Sequence, residues 1–109
     1  MVKHFPHEAG ARTARLERAQ TIGLQGLTFL LSEPTQLARF LNETGLSPNE
    51  LRSNAQAPEV LEAALTVLVN DEALLLTFAA NAGLAPAMIV EAHAELASDG
   101  GQLQPPNPL

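Results

Sequence analysis

From Asp71 to Ala82 the chain reads DEALLLTFAANA, and past the first turn a helix of this sequence has one clear polar stripe, Thr77 and Asn81. Ala73, Leu74, Leu75, Leu76, Phe78, Ala79, Ala80 and Ala82 cover the remaining surface, a pattern that predicts a helix set in the middle of a bundle. Asn70 is the expected N-cap, Asp71 and Glu72 place negative charge on the first turn, and Gly83 stands where the helix should stop.

The preceding chain carries the same period. Residues 1–7 show none and are expected to be a flexible lead-in. A first helix should begin between Glu8 and Thr13 and run to Leu31, with Leu16, Ala19, Gly23, Leu27 and Leu30 inward and Thr21, Gln25, Thr28 and Ser32 on the wet side. Gly23 and Gly26 each cost a helix interior about 1 kcal/mol relative to Ala. Their presence predicts a close helix crossing near Ala19 and Gly23, or else a kink or a break into two shorter helices.

Ser32 is the expected cap of a second helix over Glu33–Thr44, with Leu37, Phe40 and Leu41 inward and Gly45 as its stop. Ser47, Pro48 and Glu50 spell a capping box that opens a short third helix carrying Leu51. After the connector SNAQAP, a fourth helix from Pro58 to Val69 turns Leu61, Ala64, Leu65 and Leu68 inward and Glu59, Glu62 and Thr66 outward. Pro86 restarts a sixth helix to about Ala97, with Ile89, His93 and Leu96 inside and Met88, Glu91 and Glu95 outside. The remaining tail, rich in Gly and Pro, is expected to be disordered over 98–109, leaving 8–97 as a single helical domain.

An offset of 38 aligns LTFLLSEPTQLARFLNETGLSP with LTVLVNDEALLLTFAANAGLAP, and eight of 22 positions are identical. Each copy holds a helix, a capping residue (Ser32 or Asn70) with an acid beside it, a second helix with inward Leu and Phe, and a Gly-Leu-x-Pro restart. The predicted fold is all-α, a compact bundle of five to six short helices made of two three-helix repeats related by a pseudo-twofold axis. Two copies are too few for a self-supporting solenoid, so the bundle should close on itself.

The segments AQTIGLQGLTFLLSEP, LARFLNETGLSPNELR and DEALLLTFAANAGLAP, in that order and spacing, resemble a small bacterial family of single-domain helical proteins catalogued only as a domain of unknown function. The resemblance spans roughly Leu16 to Leu96. It implies a fold family and no activity, and it brings no catalytic or ligand residues.

Composition narrows the class. With 46% hydrophobic residues, 4% aromatic and no Trp or Tyr, the core must be close-packed Leu, Val, Ile, Ala and Phe, which suits helices. The absence of cysteine excludes disulfides, thiolate metal sites and cysteine nucleophiles and fits a cytoplasmic protein. No apolar run is long enough for a membrane span, and the N-terminus lacks the apolar stretch of a secretory signal.

The net charge of −6 is unevenly placed: residues 1–20 hold Lys3, Arg12, Arg15 and Arg18 against Glu8 and Glu17, whereas Arg39 and Arg52 stand against ten acids in the remainder. The acidic body opposes nonspecific attraction to nucleic acid or anionic lipid.

Helix, Gly-Leu turn, helix is the outline of a DNA-binding helix-turn-helix, but AMIVEAHAELA in the recognition position has no Arg, Lys, Asn or Gln for phosphates or base edges. Arg12, Arg15 and Arg18, three apart on the first helix, are candidates for contact with an acidic partner, a phosphate or the protein's own acidic surface, or simply form a solvated face. His93 is a packing histidine or a proton-transfer group; His4 and His7 have no placed partner. The pairs Glu59/Glu62 and Glu91/Glu95 lack a third metal ligand, and no phosphate-binding loop or nucleophile motif is present.

The sequence therefore points to no catalytic residue, cofactor, metal or small-molecule ligand. The apolar excess favours a non-catalytic interaction or scaffold module that self-associates or takes a protein partner through Leu74, Leu76 and Met88, with a helix-turn-helix regulator as the alternative.

Overall fold

Six α-helices and no strand are found among the described residues of the computed structural model, which gives the backbone of residues 7–103 and the side chains of residues 13–98. They are α1 (His7–Leu31), α2 (Pro34–Thr44), α3 (Pro48–Ser53), α4 (Pro58–Val69), α5 (Glu72–Ala82) and α6 (Pro86–Leu103). The expectations for residues 1–6 and 104–109 lie outside the described residues. Helix α6 continues to Leu103, well past the expected end near Ala97, and runs through Gly100 and Gly101.

Local chemistry sets most of the helix ends. Gly45 and Gly83 close α2 and α5 in the left-handed conformation, at φ 77° and 69°, which costs a residue without Cβ nothing. Ser47 forms the expected capping box: its hydroxyl accepts from the Glu50 N–H at 3.1 Å and its own N–H donates to Glu50 Oε1 at 2.9 Å.

Two expected caps are one residue early. Ser32 donates its hydroxyl back to the Phe29 carbonyl at 2.7 Å, so Glu33 takes the N-cap position of α2 without a side-chain bond. Asn70 ends α4, and Asp71 caps α5 by accepting from the Leu74 N–H at 3.1 Å; a carboxylate at a helix N-terminus also gains from the dipole.

The centre of the bundle is α4, not α5. Helix α4 buries Val60, Leu61, Ala64, Leu65, Val67 and Leu68, and packs against α1, α2, α5 and α6. Helix α5 buries Leu75, Phe78 and Ala79 along one side and leaves Leu76 49% exposed on the other. An apolar circumference permits burial on all sides but does not supply the neighbours. Around α4 those neighbours come close because α1 presents glycine to it.

A Cβ added at Gly23 would stand 2.9 Å from the Cβ of Leu61, and one at Gly26 would stand 2.9 Å from a methyl of Leu68. Helix α1 runs unbroken past both, so the glycines serve the close crossing and not a break. Leu27, Leu30, Phe40, Leu65, Leu68, Ile89 and Leu96, drawn from α1, α2, α4 and α6, fill the fully buried interior.

The ends of α1 and α4, both ends of α2 and α5, and the starts of α3 and α6 recur at an offset of 38 residues. The third helices then diverge, α3 having six residues and α6 eighteen. The offset thus describes where helices start and stop, and it does not extend to the length of the third one. The pseudo-twofold axis itself is a proposal, to be decided by superposing the two halves.

Candidate functional site

Helix α1 changes character along its length. Its N-terminal half carries Glu8, Arg12, Arg15, Glu17 and Arg18, and from Ala19 to Ser32 there is no charged residue at all, even on the side that faces water. The run from Ala73 to Val90, through α5 and into α6, is equally free of charge. Where α1 and α5 lie side by side, these two runs line an open, largely apolar groove of about 430 Å³, formed by Thr21, Leu24, Gln25, Thr28, Phe29, Phe78, Asn81 and Ala82.

The groove owes its apolar lining to side chains that look polar on paper. Thr21 and Thr28 donate their hydroxyls to the carbonyls of Glu17 and Leu24 one turn back, at 3.0 and 2.9 Å, which spends the polar atom on the helix and leaves the methyl to face outward. Phe29 and Phe78 join the two helices, their ring centroids 5.4 Å apart and tilted by 45°. Leu24 stands 38% exposed at the edge. Sequence reading assigned Thr21, Gln25 and Thr28 to a plain wet side; the signal it passed over was the absence of charge across Ala19–Ser32.

The residues singled out from the sequence are distributed elsewhere. The side chain of Arg12 lies outside the described residues. Arg15 places its Nε 3.7 Å from Glu95 Oε1 across α1 and α6, with over half of its side chain in water. Arg18 lines a small cleft of about 70 Å³ together with Arg15, Met88, Glu91 and Glu95, so Arg15 pairs with the chain's own acid and Arg18 lies in the same cleft. Exposed pairs of this kind contribute little to stability.

Leu74 packs against the core, Leu76 points out on the far side of α5, and Met88 borders the cleft between α1 and α6. The residues around Leu24 combine exposure, a groove and freedom from charge.

His93 is half-buried between α4 and α6, with Nε2 2.9 Å from Thr66 Oγ1 and 4.0 Å from Glu62 Oε2. Thr66 already donates its hydroxyl to the Glu62 carbonyl at 2.9 Å, so the imidazole N–H donates to Thr66. A nucleophile–base–carboxylate relay needs the hydroxyl and the carboxylate on opposite ring nitrogens. Here both face the same one, and the group acts as a clasp between two helices. Among the described residues no three acids or histidines stand close enough to hold a metal ion.

A second polar fastener was not anticipated. Arg39 of α2 places Nη1 3.3 Å from Asp71 Oδ2 at the head of α5 and Nε 3.2 Å from Glu43 Oε2. The Leu74 N–H, and after it Arg39, hold the Asp71 carboxyl below its ordinary pKa, while Glu43 and then Asp71 raise that of Arg39. No single helix among the described residues is long and apolar enough to cross a membrane, and α4 and α5 are bent by 113° at their junction.

A family model matches residues 16–99, which hold the groove, the close crossing over α4 and the packed part of every helix. The chain belongs to DUF3572, a family described as a protein of unknown function. No curated protein and no solved structure gives a match. The DUF3572 match takes in Arg18 but neither Arg12 nor Arg15, so two of the three arginines lie outside the unit that defines the family.

Proposed function

We propose that this DUF3572 chain is a non-catalytic interaction module that docks a protein partner on the uncharged face of α1 and α5. The observation that carries the reading is the groove bordered by Leu24, set in two runs of chain with no charged residue although the whole protein carries a net −6. Interface cores are depleted in charge, and an apolar groove rimmed by polar groups marks a docking surface. The groove is open, so a small molecule lying in it would keep much of its surface in water, whereas a protein element laid along it would cover both helices.

The arrangement of His93, with Thr66 and Glu62 on one ring nitrogen, supports the non-catalytic part of this reading. A cytoplasmic location belongs to the same proposal and is supported by the absence of cysteine. The helix-turn-helix alternative draws no support from α6, whose outward positions include Ala87, Val90, Glu91 and Ala94 where phosphate contacts need cations.

A photo-crosslinking amino acid placed at Gln25 on the groove, or at exposed Glu59 on α4 as a control, tests the proposal in living cells. Protein adducts from position 25 and none from position 59 are expected. Equal labelling from both, or none from either, would sink it.

A further inference from the structure

We infer that the partner on this face is a second copy of the chain, packed about a twofold axis so that Leu24 of each copy enters the groove between α1 and α5 of the other. The inference rests on the reading of that face as a docking surface and adds the identity of the occupant.

Charge permits a copy on this face, which carries none across Ala19–Ser32 and Ala73–Val90, and hinders one on the acidic remainder of the chain. Each copy brings −6 to the encounter, and on a face that carries acids a twofold axis sets like charges against each other. The face of α1 and α5 is where that repulsion is absent.

Shape and hydrogen bonding suit a copy. A twofold interface uses one patch against itself, so the patch must hold both a projection and the recess that receives it. Leu24, 38% exposed, lines the rim of a groove of about 430 Å³, a volume ample for a leucine side chain. Around Leu24, Thr21 and Thr28 turn methyl groups outward because their hydroxyls are bonded to the backbone. Gln25 and Asn81 supply carboxamides, each both donor and acceptor and therefore able to pair with an identical group across an axis.

Sedimentation equilibrium of the full chain across the micromolar range tests the inference, with Leu24→Glu, Gln25→Glu and Leu76→Glu as variants. The wild type should be dimeric. Leu24→Glu should raise the dissociation constant by at least about thirtyfold, the effect of losing a central anchor, with unchanged helical circular dichroism. Gln25→Glu, at an exposed position on the groove, should weaken the dimer in the same direction and serves if Leu24→Glu fails to fold. Leu76→Glu, on the far side of α5, should leave it intact.

A wild type that stays monomeric, a dimer that survives Leu24→Glu and Gln25→Glu, or one that dissociates with Leu76→Glu would each overturn the inference. A monomer that still yields adducts from position 25 would remove the second copy and leave the docking surface. A monomer with no adducts would remove both.

Discussion

Helices α4 and α5 are near neighbours in sequence and similar in composition, yet one is the axis of the bundle and the other lies against its side. Both read as apolar: PEVLEAALTVLV and EALLLTFAANA. The difference lies in what meets them. Helix α4 has α1 pressed to within reach of its own Cβ atoms through Gly23 and Gly26, and α6 closes its other flank with Ile89 and Leu96. Helix α5 buries only Leu75, Phe78 and Ala79, with Leu74 and Ala82 partly covered beside them, and its outward positions Ala73, Leu76 and Ala80 are solvated, the two alanines at little cost because they expose so little apolar area. Hydrophobicity sets how much surface a helix is able to bury, and the closeness of its neighbours sets how much it does bury.

The sharpest way to break this comparison is the same substitution on each helix. Leu68→Ala removes a side chain with no exposed surface and should cost about 2–5 kcal/mol by urea denaturation, the range for a buried leucine. Leu76→Ala, on the outer face of α5, should stay within about 0.5 kcal/mol. Equal losses at the two positions would mean that α5 is covered as fully as α4.

Gly23→Ala sharpens the role of the close crossing. The new methyl would meet the Cβ of Leu61, which cannot rotate away, and the overpacking cost of about 1–3 kcal/mol should exceed the gain of about 1 kcal/mol in helix propensity. Thermal melting should therefore show a net loss. A rise in melting temperature would show that α1 has room to withdraw from α4.

A pH-dependent effect is expected at the head of α5, where Asp71 caps the helix and receives Arg39. Its carboxyl is depressed in the folded state, so the stability it contributes is fully present above the unfolded pKa of about 3.9 and is lost as pH falls through the lower folded value. Asp71→Ala should melt at a lower temperature than the wild type at neutral pH, and the gap should close as the solution is acidified below about pH 4. A gap that is constant with pH would assign the effect to the alanine and not to the carboxylate.

Much of the fold could be read from local features, and each has a local cause. Gly45 and Gly83 stop helices because they alone adopt the left-handed turn without strain, and the Ser47 box starts α3 with atoms three residues apart. The errors lie where two chemically competent residues stand side by side. Ser32 or Glu33, and Asn70 or Asp71, were each able to cap; Ser32 bonds backward into α1 instead, and Asp71 takes the Leu74 N–H. The candidate site was less visible. Its signal is an absence of charge, which a search for reactive or basic residues passes over, and its groove exists only because Phe29 and Phe78, far apart in sequence, meet.

By itself the sequence determined that this DUF3572 chain is helical and where most of its helices begin and end, because capping, glycine turns and helical period act over a few residues. Only the tertiary structure decided that α4 is the centre, that Gly23 and Gly26 are crossing points, that Arg39 reaches Asp71 and that Leu24 borders a groove. Those outcomes depend on which surfaces touch, and contact between distant segments is settled by the shapes of all the helices together.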